Sequence, residues 1–151
     1  MINLTKLYCG AGSESDVLRY GQGHDAPTAA HARRPIVVWT MSRRCNLHCV
    51  HCYADSEARD YPGELTVPEA IPMLDDLAQF KIPALLLSGG EPLAHPNFFE
   101  LAGYARRVGL RLTISTNGTL IDRALAERIQ ALGVSYVGIS FDGLGKINDQ
   151  F

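Results

Sequence analysis

The chain has 151 residues, 14 lysines and arginines against 16 aspartates and glutamates, and a formal charge of −2. That length supports one domain with a real core, and 46% hydrophobic with 20% charged residues is ordinary for a globular protein. The balanced charge offers no footprint for nucleic acid or an anionic membrane, no apolar run approaches the roughly 18 residues of a spanning helix, and MINLTKLYCGAGSESDVLRYG lacks a signal peptide's apolar core. A cytoplasmic protein is expected, in which four cysteines are metal ligands or free thiols and not disulfides.

Residues 1–34 are mixed and Gly-rich, and read as a loosely attached N-terminal arm. Cys9, alone in that arm, reads as a spare thiol. A regular core is expected over 35–151. IVVWT (36–40) is a β-branched and aromatic run, hence a strand. Thr66-Val-Pro-Glu69 is a capping box that opens a helix. Ala70, Ile71, Leu74, Leu77 and Ala78 form that helix's inner stripe, and Pro72 predicts a kink or a late start.

ALLLS (84–88), ending in Gly-Gly, is the second strand. A second helix follows, with Pro96 in its first turn, Phe98, Leu101, Ala102, Ala105 and Val108 inward, and Gly109 at its end. LRLTIS (110–115) is the third strand. The third helix starts near Asp122, turns Leu125, Ile129 and Leu132 inward, and stops at Gly133. VSYVGISF (134–141) is the fourth strand. Continuous apolar runs predict strands buried on both faces, as in parallel sheets. The alternation predicts an α/β fold of repeated βα units with right-handed crossovers, either a barrel or an open sheet. In both, ligands gather beyond the carboxyl ends of the strands.

The unusual residues fall at those ends. CNLHCVHC (45–52) follows the first strand, Ser88-Gly-Gly-Glu-Pro92 the second, Ser115-Thr-Asn-Gly118 the third and Ser140-Phe-Asp-Gly143 the fourth. Turn chemistry explains Gly and Asn in such loops, but not Cys45, Cys49 and Cys52 within eight residues. Zinc, with His48 or His51 as a fourth ligand, is one reading. Four ligands in so short a segment would staple nothing distant, however. Three unrelated thiols is another reading. The third is an iron–sulfur cubane: three thiolates leave one iron without a protein ligand, the open position a catalytic metal needs.

Cys45-x3-Cys49-x2-Cys52 after a first strand, with Gly89-Gly-Glu-Pro92 after the next, resembles the radical S-adenosylmethionine (SAM) superfamily over about residues 36–143. The resemblance implies a partial (β/α)6 barrel, here its first four βα units, with a [4Fe–4S] cluster on the three cysteines and SAM as cofactors. In that family the open iron chelates the SAM amino and carboxylate groups. One electron, from a low-potential donor by way of the cluster, cleaves the sulfonium, and the resulting 5′-deoxyadenosyl radical takes a hydrogen atom from substrate. Gly89 and Gly90 are then expected to let backbone approach the methionine moiety, their carbonyls and Glu91 being candidates for the SAM ammonium. Ser140 and Asp142 resemble the family's fourth-strand residues near ribose and carboxylate, and Ser115 and Asn117 are candidates for similar roles. His51 stands where an aromatic residue usually packs near the adenine, with Tyr53 to help or to shield the cluster. Arg43 and Arg44 read as a solvated basic pair, or as an attraction for the electron donor or the SAM carboxylate. No further catalytic side chain is assigned.

LTKLYCG (4–10), DVLRYG (16–21) and VVWTMSRRCNLHCVHCYADS (37–56) are similar to the superfamily's tetrapyrrole-modifying branch, which includes didecarboxysiroheme deacetylase and haem d1 biosynthesis proteins. The implied reaction is radical-initiated side-chain loss from an iron tetrapyrrole. A peptide-modifying maturase and an iron–sulfur protein without catalysis are the alternatives. Relatives would supply two further βα units, so a gene fragment or truncated frame is expected. Such a chain should expose an apolar edge and an open core face, bind a cluster poorly, and turn over little or nothing.

Overall fold

The structure, a computed structural model, describes residues 34–143 with 145 and 146. Cys9, LTKLYCG, DVLRYG and all but the last residue of the expected arm lie outside the described residues. Four strands, β1 (Val37–Ser42), β2 (Leu85–Gly89), β3 (Leu112–Thr116) and β4 (Tyr136–Ile139), form one sheet in the order β1-β2-β3-β4. Every neighbouring pair is parallel. Helices α1 (Val67–Phe80), α2 (Phe98–Arg107) and α3 (Arg123–Leu132) are the connections, and a 3₁₀ turn (Pro92–Ala94) stands between β2 and α2. This is the α/β arrangement of successive βα units expected from the sequence.

The helix signals act largely as expected. The Glu69 carboxylate reaches back to the Thr66 amide at 2.9 Å and its hydroxyl at 2.6 Å. Asp122 accepts from the Leu125 amide at 2.7 Å and caps α3. Gly133 ends α3 in the left-handed conformation, φ +72°, where a Cβ would be strained. Two proline expectations need correction. The late start expected from Pro72 does not occur, since α1 begins at Val67 and carries Pro72 inside it. Pro96 lies before α2, not in its first turn, because the chain spends that stretch on the 3₁₀ turn and caps α2 with Asn97.

The core lies on one face of the sheet. Leu85, Leu87, Leu112 and Ile114 are at most 1% exposed and join Ala70, Leu74, Phe98, Leu101, Ala102, Ala105 and Ile129 from the helices. Side chains alternate along a strand, so Val38, Leu86, Thr113 and Tyr136, partners in register, point to the other face. Burial on both faces therefore does not hold. Val38 is 57% exposed and Tyr136 55%, and at the sheet edge Ile139 is 58% exposed. Among the described residues, no helix is long and apolar enough to cross a membrane.

Candidate active site

The three cysteines lie on the loop that leaves β1. Cys45 is buried, and Cys49 and Cys52 are half-buried. Backbone bonds tie the loop's two legs together. The Cys45 amide donates to Glu57 O at 3.0 Å, Cys52 to Cys49 O at 3.1 Å, and Asp55 to Cys52 O at 3.3 Å. The Arg43 guanidinium, partly exposed, donates to Ala54 O and Asp55 O, both at 2.9 Å, and lies over the Tyr61 ring at 4.5 Å. Arg59 covers the same ring at 4.3 Å. Arg44 pairs with Asp60 at 2.8 Å on the surface, as a solvated side chain would.

Gly89 and Gly90 anchor this loop to β2. The Gly90 amide donates to Ser42 O at 2.8 Å and the Glu91 amide to Arg44 O at 2.9 Å. A Cβ on Gly89 would stand 2.2 Å from Ser42 O, and one on Gly90 would stand 2.5 Å from the carbonyl oxygens of both Arg43 and Arg44. Gly89 also has φ +140°. What the missing Cβ atoms admit here is the chain's own backbone, a need for glycine that stands beside the expected approach to a cofactor. Glu64, a residue sequence reasoning missed, completes the junction by accepting from the Ser42 hydroxyl at 2.6 Å and the Arg43 amide at 3.2 Å.

Glu91 also needs correction. Its side chain is fully buried, and both carboxylate oxygens are engaged. They accept from the Thr116 hydroxyl at 2.8 and 2.9 Å, the Asn117 amide at 2.8 Å and the Leu93 amide at 3.0 Å. A carboxylate bonded in this way joins the ends of β2 and β3, and does not stand open to a ligand's ammonium.

Of the other expected residues, Asp142 and Asn117 meet the loop from other strand ends. His51 Nε2 lies 3.6 Å from Asp142 Oδ1, bringing the end of β4 against the cysteines. Asn117 Nδ2 lies 3.0 Å from Asn46 Oδ1 and 3.8 Å from Cys45 Sγ. Ser115 is half-buried on the face opposite the core. Ser140 is exposed, its amide donating to Thr116 O at 2.9 Å. Tyr53 is 87% exposed, so the expected shield over the thiols is not formed by its ring.

The thiols differ electrostatically. Burial pushes the Cys49 thiol up, with neighbouring Cys45 and Cys52, then Asp142, acting the same way. The Ser56 amide pulls Cys52 down against burial, assisted by the Ala54 and Asp55 amides and the Ser56 hydroxyl. That hydroxyl is buried and finds no hydrogen-bond partner at ordinary distance. Ser56, Asn46 and Thr119 carried no sequence signal, because their partners are distant or sulfur.

Among the described residues, no three His, Cys, Asp or Glu side chains converge as a single-ion cage would require. A cubane asks for something else, three thiolates on three separate irons. Three thiols on one anchored loop, one of them met by the Leu47 amide and the Asn117 side chain, fit that donor set.

Known proteins agree with this geometry. The family model described as "Radical SAM superfamily" matches residues 39–148. The chain is 47% identical over 156 residues to Fe-coproporphyrin III synthase of Methanosarcina barkeri, covering 100% of this chain and 39% of that protein. It is 50% identical over 118 residues to pre-heme d1 synthase of Dinoroseobacter shibae, covering 78% of this chain and 29% of that protein. The solved structure titled "Native anSMEcpe with bound AdoMet" superposes with a TM-score of 0.59 at 28% identity, over 75% of this chain and 33% of that one. The chain thus spans well under half the length of these relatives. With the cysteine loop, the parallel sheet and the family match in agreement, the chain belongs to the radical SAM superfamily, whose cofactors are a [4Fe–4S] cluster and SAM.

Proposed function

We propose that this chain holds a [4Fe–4S] cluster on Cys45, Cys49 and Cys52, binds SAM beside it, and serves radical side-chain removal from an iron tetrapyrrole in haem or haem d1 formation. The observation that carries the cofactor reading is the anchored loop with its three thiols. Support for the substrate class comes from the two relatives above 45% identity, both named for haem-type products.

When bound, the cluster and SAM supply one-electron cleavage of the sulfonium and a carbon radical that abstracts hydrogen; a low-potential donor provides the electron. The chain's own residues do the rest. Bound by Cys45, Cys49 and Cys52, a four-iron cluster would keep one iron free of protein ligands. The carbonyls of Gly89 and Gly90 are the candidates for the SAM ammonium, since the Glu91 carboxylate is already engaged. His51 and Asp142, paired at the loop, and Ser115 and Ser140, at the same strand ends, are the candidates for the nucleoside and carboxylate.

Anaerobic reconstitution with iron and sulfide, then reduction and addition of SAM, tests the reading. Partial loading with a cubane whose spectrum changes with SAM is expected, with little 5′-deoxyadenosine from this chain by itself. Bound zinc, or no spectral response to SAM, overturns it. An iron tetrapyrrole should be consumed in step with 5′-deoxyadenosine; consumption of a peptide instead moves the substrate to that class.

A further inference from the structure

Asn117 sits at the end of β3, 72 positions from Cys45, yet reaches its sulfur. The obvious reading of an Asn in Ser-Thr-Asn-Gly is a turn cap. Its oxygen does act so: Oδ1 accepts from the Thr119 amide at 2.9 Å and the Thr119 hydroxyl at 2.7 Å. A backbone amide can only donate, so the oxygen must face Thr119 and the NH2 must face away from it. The NH2 then points to Asn46 Oδ1 at 3.0 Å and Cys45 Sγ at 3.8 Å. Asn46 is fixed in turn, donating to the Thr119 hydroxyl at 2.8 Å. The Asn117 backbone is held separately, by Glu91 Oε2 at 2.8 Å. Four groups thus determine the direction of a single N–H.

Resting on the cofactor reading above, we propose that Asn117 is a positioning residue for the iron–sulfur centre, its amide N–H donating to the Cys45 sulfur and raising the cluster's reduction potential. The electron entering from the donor adds one negative charge, and no bond is made or broken. A donor aimed at a ligating sulfur stabilises that added charge. Cys45 is the most buried of the three thiols, where a donor counts for more than in water. It also receives the Leu47 amide at 3.4 Å. Asn117 therefore acts through the cluster, not as a ligand to the SAM nucleoside.

Redox titration of the reconstituted protein, followed by EPR, tests this with Asn117→Ala and Asn117→Asp. Asp keeps an oxygen for Thr119 and replaces the N–H with an anion. Both variants should carry the iron and sulfide of the unsubstituted protein and have lower midpoints, Asp lower than Ala. The expected size is a roughly threefold to tenfold fall in the reduced-to-oxidised ratio at fixed poise, tenfold being about 59 mV for one electron. Unchanged midpoints in fully loaded variants overturn the inference alone. Loss of the cluster from both variants also counts against it, because a donor to one of three sulfurs tunes a centre and does not build it. No cubane in the unsubstituted protein overturns the cofactor reading, and this inference with it.

Discussion

The two faces of the sheet are made of different material. Leu85, Leu87, Leu112 and Ile114 are sealed under the helices. On the other face, Thr40 and Ser88 pair in register beside Ser115 and Gly138, also in register. That is a layer of small and hydroxyl side chains next to the strand ends that carry the cysteines. Stability is concentrated on the first face, where apolar burial is complete. The second leaves room near the loop and contributes little to the core. In a radical SAM chain, this division lets the chemistry of one face change without unfolding the other.

Substitutions can break or sharpen that contrast. Cys49→Ala should lose the cubane spectrum that the unsubstituted protein shows on reconstitution while moving the denaturant midpoint little, about 1 kcal/mol or less, since Cys49 is half-buried in a loop. The adjacent pair Leu87→Ala and Leu86→Ala compares the faces directly. The first should cost about 2–5 kcal/mol by urea unfolding, and the second distinctly less, because Leu87 is 1% exposed and Leu86 only half-buried. Equal costs would remove the distinction between the faces.

Gly90→Ala tests the junction between them. Its Cβ would meet two carbonyl oxygens at 2.5 Å, so a cost of about 1–3 kcal/mol is expected, with weaker iron binding as the loop shifts. A fully stable, fully loaded variant would deny the junction its role. The smallest effect is with pH. Burial holds the His95 imidazole below its ordinary 6.5, against a weaker opposing pull from Glu64. The unfolded chain therefore takes up a proton first as pH falls through about 6.5, and stability declines from there towards the folded value. His95→Gln should flatten that decline in unfolding curves recorded between neutral and acidic pH.

Much of this was legible in the sequence. Periodicity and caps marked the βα order, Thr66 and Glu69 opened α1, Asp122 opened α3, and the cysteine spacing marked the loop. Those signals are local, and local chemistry decides them. The backbone junction at Gly89 and Gly90 and the engagement of the Glu91 carboxylate carried no sequence signal, although their position after β2 did. What a missing Cβ makes room for, and which donors a carboxylate meets, depend on segments far away in sequence. Asn117 to Asn46 spans 71 residues and Arg43 to Ala54 spans 11, and no spacing rule announces either. Tyr53 faces outward because its stretch is held by backbone bonds and Arg43, and not by its own ring.

The double footing of the cysteine loop has one more consequence. Its incoming leg is bonded to the end of β2 through the Gly90 and Glu91 amides, and its outgoing leg to Cys45 through Glu57. Adjustment to a bound guest is therefore left to the short arch between Asn46 and His51, where Leu47, His48 and Val50 are exposed. Hydrogen–deuterium exchange should trace that outline, slow at Gly90, Glu91 and Cys45 and fast across the arch, with loading quieting the arch alone.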